Sequence, residues 1–216
     1  MKTTIFWDVL SHWCLVSVPA ARAVSDLGEV EIVYAPVADG APLGFTNELE
    51  AWCYRRGTLA YDRIFHADWC EGPETRTWFA NAAALVIGRI IGDQIRAAEL
   101  LALAAMEERA LMGRPDVAFA QAALVANVPA SEIARRSEDP AIAEHLSAGN
   151  HRMRELGLDE RPSFLLENAN GDRAIFKGMW QKEAIVAAAR ALLADEEAYR
   201  VAGPPPGTAR HSADGT

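Results

Sequence analysis

Apolar positions along the chain change their spacing from one segment to the next. From Thr3 to Val9 they form a short run rich in β-branched and aromatic side chains, which predicts a buried strand. From Cys14 to Leu27 they recur at helical spacing (Leu15, Val18, the aliphatic stem of Arg22, Leu27), and Gly28 supplies the stop. Pro19 lies inside that stretch and predicts a kink, because proline has no N–H to donate. Glu29 to Ala35 alternates and reads as a second strand. Strand, helix, strand with a crossover of this length predicts a parallel pair.

Pro36 to Gly44 reads as a loop. From Phe45 to Gly157 the signals are helical and well punctuated. Thr75 is placed to cap a helix carrying Trp78, Phe79, Leu85, Val86 and Ile90. Gly92-Asp93 ends it and caps the next, which should run to Met112 and stop at Gly113. Pro115-Asp116, Ser131 with Glu132, and Asp139-Pro140 open three more, the last ending near Gly157. Strand signals return at Ser163–Glu167 and Arg173–Phe176, joined by Asn168-Ala169-Asn170-Gly171, a hairpin signal. Gln181–Ala194 is an amphipathic helix with Ile185, Ala189, Leu192 and Leu193 on one side. After Tyr199 the Gly203-Pro204-Pro205-Pro206-Gly207 run predicts a disordered tail.

Composition narrows the classes. The chain has 216 residues, half of them hydrophobic, with a net charge of −9. That is ordinary for a globular protein with a good core, and the acidic surface repels phosphate backbones, so no nucleic-acid partner is expected. No apolar stretch reaches the roughly 18 residues of a membrane span. No leader precedes the first strand, and three cysteines fit a reducing compartment, so a cytoplasmic location is the expectation.

Ser11-His12-Trp13-Cys14 directly follows the first strand. It resembles the Cys-Pro-Trp-Cys or Cys-Pro-His-Cys site of DsbA-like thioredoxin-fold proteins, with serine in place of the first cysteine. Arg161-Pro162-Ser163-Phe164-Leu165-Leu166 resembles their Val-Pro-Thr-Phe segment, whose proline is cis. Phe176-Lys177-Gly178 followed by a helix resembles their closing strand and last helix. The match runs in ordered segments over residues 2–195. It implies an α/β thioredoxin-like fold (βαβ…ββα) formed by residues 1–44 and 158–198, with a large all-helical insertion over 45–157 and a disordered tail over 199–216.

The resemblance has two branches. One holds disulfide oxidoreductases, including cytoplasmic relatives with Cys-Pro-Trp-Cys. The other holds kappa-class glutathione transferases and 2-hydroxychromene-2-carboxylate isomerases, in which a serine at the first-cysteine position contacts the thiol of bound glutathione. Ser11 fits the second branch and Trp13-Cys14 the first. The glutathione-anchoring Asp-Arg pair of the second branch is replaced here by Trp180-Gln181, aligned on Gly178.

A dithiol cycle between positions 11 and 14 is impossible, because an alkyl hydroxyl stays protonated at a helix N-terminus that would ionise a thiol. Ser11 can instead donate to a thiolate brought by a substrate. Such a bond is worth about 1.5–3 kcal/mol, or roughly one to two in pKa. The alternative is a degenerate fold in which Ser11 only caps the helix. Cys14 is either a monothiol nucleophile or a small buried hydrophobe. His12 either shifts a neighbouring thiol and shuttles a proton, or is a solvated loop residue. Trp13 is expected to wall the site. Arg161, before Pro162, is expected to present its backbone to a peptide-like ligand, with Ser163 beside it, and to add a cation near the thiolate; the alternative is a plain turn into the strand.

The expected ligands are glutathione or another small thiol as co-substrate, with no tightly bound cofactor, and an apolar or aromatic second substrate. A homodimer is compatible with this. The non-catalytic alternative is a peptide-binding module. His66, Asp68 and Cys70 have ligand chemistry but no further partner, so no metal is expected. Cys53 and Cys70 are expected to be free thiols. The aromatics Trp52, Tyr54, Tyr61, Phe65, Trp69, Trp78 and Phe79 are expected mostly in the helical core, some lining an apolar pocket over Ser11.

Overall fold

The computed structural model describes residues 1–37, 52, 55, 65–70, 75–179 and 181–202. Strand β1 (Lys2–Trp7) lies inside a four-stranded sheet of order β2-β1-β3-β4. It pairs in parallel with β2 (Glu29–Tyr34), Ile5 opposite Ile32 and Trp7 opposite Tyr34. On its other side it pairs antiparallel with β3 (Ser163–Glu167), which pairs antiparallel with β4 (Arg173–Lys177). This is the βαβ…ββα sheet of a thioredoxin-like fold.

The kink expected at Pro19 is a full break at Ser17. Helix α1 (His12–Val16) ends there, and α2 (Val18–Ser25) starts with Pro19 in its first turn, where a missing N–H costs nothing. The Ser17 hydroxyl donates to the Cys14 carbonyl at 2.7 Å and closes the break.

Successive β1 residues face opposite sides. Ile5 and Trp7 join the main core, which runs continuously from the sheet and α1 into the helical block, reaching Leu101, Met106 and Ile133. Phe6 faces the other way, into a smaller cluster with Val33, Ala35, Met153 and Leu158. That face is covered by α7 (Pro140–Glu155). A methyl at Gly149 would meet the Tyr34 carbonyl and the Val33 side chain, so glycine permits this close approach. The last helix of the segment expected to be an insertion is therefore packed directly on the sheet.

The helical block differs from expectation at two ends. Helix α3 (Thr77–Ile91) is preceded by Arg76, not capped by Thr75. Arg76 N–H donates to the Gly113 carbonyl at 3.0 Å, which holds it extended, while the Thr75 methyl lies against Gly113. Gly92 (φ 74°) ends α3 as expected, and Asp93 caps α4 (Gln94–Met106), accepting from Arg96 N–H at 2.8 Å. Helix α4 stops six residues before the expected Met112. There the Met106 carbonyl accepts from His66 N–H at 2.8 Å, and Arg109, with φ 62°, turns the chain and pairs with Asp68. Helices α5 (Pro115–Ala126) and α6 (Ala130–Ser137) lead into α7.

The β3–β4 loop is closed by the Asn168 side chain, whose oxygen accepts from Asn170 and Asp172 N–H at 3.0 and 2.9 Å. Gly171 (φ 91°) takes the left-handed conformation that the loop needs. Helix α8 runs from Lys182 to Ala202, past the expected end at Ala194, so Tyr199 to Ala202 are helical rather than part of a tail. Arg200 pairs with Glu197 one turn earlier and supports this extension. The remainder of the predicted tail lies outside the described residues.

Candidate thiol site at the Ser11 turn

Strand β1 delivers the chain to a tight turn, Asp8 to Leu10, before α1. Ser11 takes the cap position (φ −90°, ψ 115°), yet its hydroxyl makes no cap bond. It faces the carbonyl of Arg161 at 3.4 Å, and the Arg161–Pro162 peptide is cis. The cis-proline loop and the Ser11 turn, distant in sequence, are thus adjacent. Ser11 and Trp13 are partly exposed, whereas His12 and Cys14 are buried. Helical geometry explains this alternation, since the face carrying Cys14 and Leu15 turns into the core.

Burial settles the state of Cys14. Its thiol is pushed up to about 12 by desolvation, and the charge of Asp8 adds to this. Donation from Asp8 N–H at 3.5 Å, the Ser11 hydroxyl and the Arg161 charge oppose the shift and do not cancel it. At neutral pH the side chain is a neutral thiol inside the core, not an exposed nucleophile. This is the hydrophobic alternative of the two sequence readings.

Of the two readings of His12, the structure removes the solvated one. The His12 ring is 4.7 Å from the Trp13 ring and 5.8 Å from Phe65. Phe65, from the segment between β2 and the helical block, therefore meets α1 beside the Ser11 turn. Phe65 and Trp69 are buried as expected, but Trp52 is about half exposed. Tyr54, Tyr61 and Cys53 lie outside the described residues. Cys70 is a buried residue whose Sγ donates to the Ala67 carbonyl at 2.9 Å. Asp68 is engaged by Arg109. Among the described residues no three His, Cys, Asp or Glu side chains group as metal ligands.

The Arg161 guanidinium is engaged within the fold. Its Nε donates to the Ala35 carbonyl at 2.6 Å, Nη2 to Asn150 Oδ1 at 2.5 Å and Nη1 to the Asp159 carbonyl at 3.4 Å. Asn150 in turn donates to the Pro36 carbonyl at 3.0 Å. The guanidinium thus clamps the end of β2 to α7 and the cis-proline loop, and acts on Cys14 and Asp8 through its charge. Its backbone carbonyl is what faces Ser11. Ser163 is also turned inward: it is buried, donates to the Glu160 carbonyl at 2.7 Å and pairs as strand backbone with Phe6. Of the Trp180-Gln181 pair, Gln181 is exposed and Trp180 lies outside the described residues.

Two residues missed in the sequence stand behind the turn. Asp8 is fully buried and accepts from Leu10 N–H (2.9 Å), Val37 N–H (2.8 Å) and Asn81 Nδ2 (2.8 Å). Burial pushes its carboxyl up, against these donors and the Arg161 charge. Asn81, on α3 and also fully buried, accepts from Val9 N–H at 3.0 Å and donates to the Thr77 carbonyl at 2.9 Å. Both had a signal. Asp8 is a charge between Trp7 and Val9, and Asn81 is an amide on the most apolar helical stretch; buried polar groups of this kind are the informative exceptions.

No protein-family model and no curated protein matches the sequence. Solved structures do. The cytosolic disulfide reductase DsbM from Pseudomonas aeruginosa aligns with a TM-score of 0.72 at 17% identity, over 90% of this chain and 99% of that one. The same protein with GSH aligns at 0.71 and 16% identity, over 90% and 100%. A 2-hydroxychromene-2-carboxylate isomerase aligns at 0.63 and 15% identity, over 92% and 98%. The expected fold is thus found over nearly the whole of these proteins, and the chain has the DsbA-like thioredoxin fold.

Proposed function

We propose that this chain is a thiol-dependent enzyme of the DsbA-like type, in which Ser11 stabilises the thiolate of a bound small thiol. The carrying observation is the hydroxyl of Ser11. Ser11 is partly exposed, its hydroxyl is not used as a helix cap, its contact to the Arg161 carbonyl is long at 3.4 Å, and its other neighbour is the Cys14 thiol. A long bond is given up at little cost, so the proton is available to an incoming sulfur. The N-terminus of α1 adds a favourable potential, though α1 spans only five residues and its contribution is small beside that of the hydroxyl.

The thiol we assign is glutathione or a related low-molecular-weight thiol, acting as co-substrate. Its peptide backbone would dock on the Arg161 carbonyl at Pro162, with Trp13 as a wall. Support comes from the DsbM structure with GSH and from the isomerase, which share the fold. A kappa-type transfer or isomerisation on an apolar second substrate follows from an external thiolate acting as nucleophile. A cytoplasmic location fits, since DsbM is described as cytosolic and low-molecular-weight thiols are kept reduced there. Among the described residues no single helix is long and apolar enough to cross a membrane. Monothiol redox chemistry through Cys14 is disfavoured by its burial.

The test is calorimetric titration with millimolar glutathione, followed by a structure of the soaked protein. The reading expects heat of binding and a sulfur beside Ser11 Oγ, with binding weakened in Ser11→Ala. Folded protein that shows no thiol binding overturns it and leaves the peptide-binding module.

A further inference from the structure

Helix α1 holds only the far end of the Ser11 turn, where Cys14 and Leu15 N–H donate to the Ser11 carbonyl at 3.0 and 3.2 Å, and the sheet ends at Trp7. Between them the backbone N–H groups of Val9 and Leu10 need acceptors, and both acceptors are side chains. Val9 N–H donates to Asn81 Oδ1 and Leu10 N–H to Asp8 Oδ1, while Ser11 N–H donates to the Asp8 carbonyl at 3.1 Å. Asp8 and Asn81 are joined to each other by the amide of Asn81. The second oxygen of Asp8 holds Val37, at the exit of β2. The buried side-chain pair therefore holds the N–H groups of Val9 and Leu10, the Asp8 carbonyl holds that of Ser11, and one member of the pair comes from the helical block.

We propose that Asp8 and Asn81 are the positioning pair of the thiol site, through which helix α3 of the helical block sets where the Ser11 hydroxyl points. The proposal rests on the reading of Ser11 as the group that meets the bound thiol. Neither residue touches that thiol: both are wholly buried, and they act through the turn backbone. The pair also reaches Cys14, because Asp8 N–H donates to its sulfur. Loosening the pair should misplace Ser11 and open Cys14 together. An amide is suited to position 81 because it must accept from Val9 and donate to Asp8 at once; leucine can do neither, and aspartate would set two carboxylates against each other.

The experiment compares wild type, Asn81→Leu, Asp8→Asn and a control, Ile133→Val, which trims the core on α6 away from the turn. Two readouts are taken on folded protein. One is the pH at which bound glutathione ionises, followed by thiolate ultraviolet absorbance. The other is the rate of iodoacetamide labelling at Cys14, resolved from Cys53 and Cys70 by peptide mass. Asn81→Leu should raise the ionisation pH of bound glutathione toward its free value and speed Cys14 labelling roughly tenfold or more, as expected for losing a buried hydrogen bond to a charged group. Asp8→Asn, nearly isosteric, should move both in the same direction and serves if Asn81→Leu does not fold. Ile133→Val should move neither. If both readouts stay at wild-type values in the Asn81 and Asp8 variants, or move as much in Ile133→Val, the positioning role is wrong. If wild type itself shows no ionised glutathione, the Ser11 reading fails instead. The labelling rate then decides the pair alone: faster labelling supports it and unchanged labelling overturns it.

Discussion

The Ser11 hydroxyl faces the carbonyl of Arg161 at 3.4 Å across 150 residues of sequence, and this contact joins the two halves of the thioredoxin-like sheet at one site. It also places the hydroxyl against the Cys14 thiol. Ser11→Cys should therefore restore a pair of sulfurs in reach of each other. The expected result is a bridge between positions 11 and 14, seen as the loss of two hydrogens in intact mass after mild oxidation. A variant that stays fully reduced would show that the two side chains are held apart.

Native Cys14 should be nearly inert. With its thiol pushed from an ordinary 9.0 to about 12, its thiolate fraction at neutral pH falls roughly a thousandfold, each unit being tenfold. Iodoacetamide labelling of Cys14 in folded protein should be slower than in urea-unfolded protein by at least that factor. Equal rates would mean an exposed thiolate and would revive a monothiol mechanism.

The same burial links Cys14 to stability. The folded thiol keeps its proton to a higher pH than the unfolded thiol, so its contribution is whole below about pH 9 and is lost as pH rises from there to about 12. The loss is about 1.4 kcal/mol per pH unit for one group. Buried Tyr34, also raised by desolvation, acts in the same direction at higher pH. Urea midpoints should fall less steeply for Cys14→Ala than for wild type between about pH 9 and about pH 11. Parallel curves would contradict this.

The Arg161 clamp is structural. Arg161→Met leaves the Ala35 carbonyl and Asn150 Oδ1 without their donor, and should cost about 1.5–3 kcal/mol in urea unfolding. Arg161→Lys should not recover it, because an ammonium cannot span both acceptors as a planar fork does. Full rescue by lysine would point to charge alone.

Gly149 tests the packing of α7 on the sheet. Alanine usually stabilises a helix by about 1 kcal/mol over glycine. Here the added methyl meets the backbone carbonyl of Tyr34, so Gly149→Ala should destabilise by about 1–3 kcal/mol. A gain in stability would show that α7 shifts freely.

The sheet was legible because Thr3–Val9, Glu29–Ala35 and Ser163–Glu167 carry strand chemistry bounded by turn residues, and Gly92-Asp93 and Asp139-Pro140 punctuate helices locally. Expectation failed where tertiary partners decide. Thr75 packs on Gly113 rather than capping α3, and α4 ends where Met106 meets His66. At the site, Ser11, Cys14 and Pro162 could be picked out by order and spacing. The inward turn of Ser163, the burial of His12 and the engagement of Arg161 depend on groups far away in sequence. Asp8 and Asn81 gave a signal as polar residues in apolar runs, but only the fold brings them together.

The most direct measurement is the ionisation of glutathione bound to wild type and to Ser11→Ala, followed by thiolate absorbance across pH. A thiolate stabilised by the Ser11 hydroxyl should form at a pH roughly one to two units lower in wild type than in Ser11→Ala, where it should approach that of free glutathione. Identical ionisation in the two proteins, with glutathione bound in both, would contradict the account.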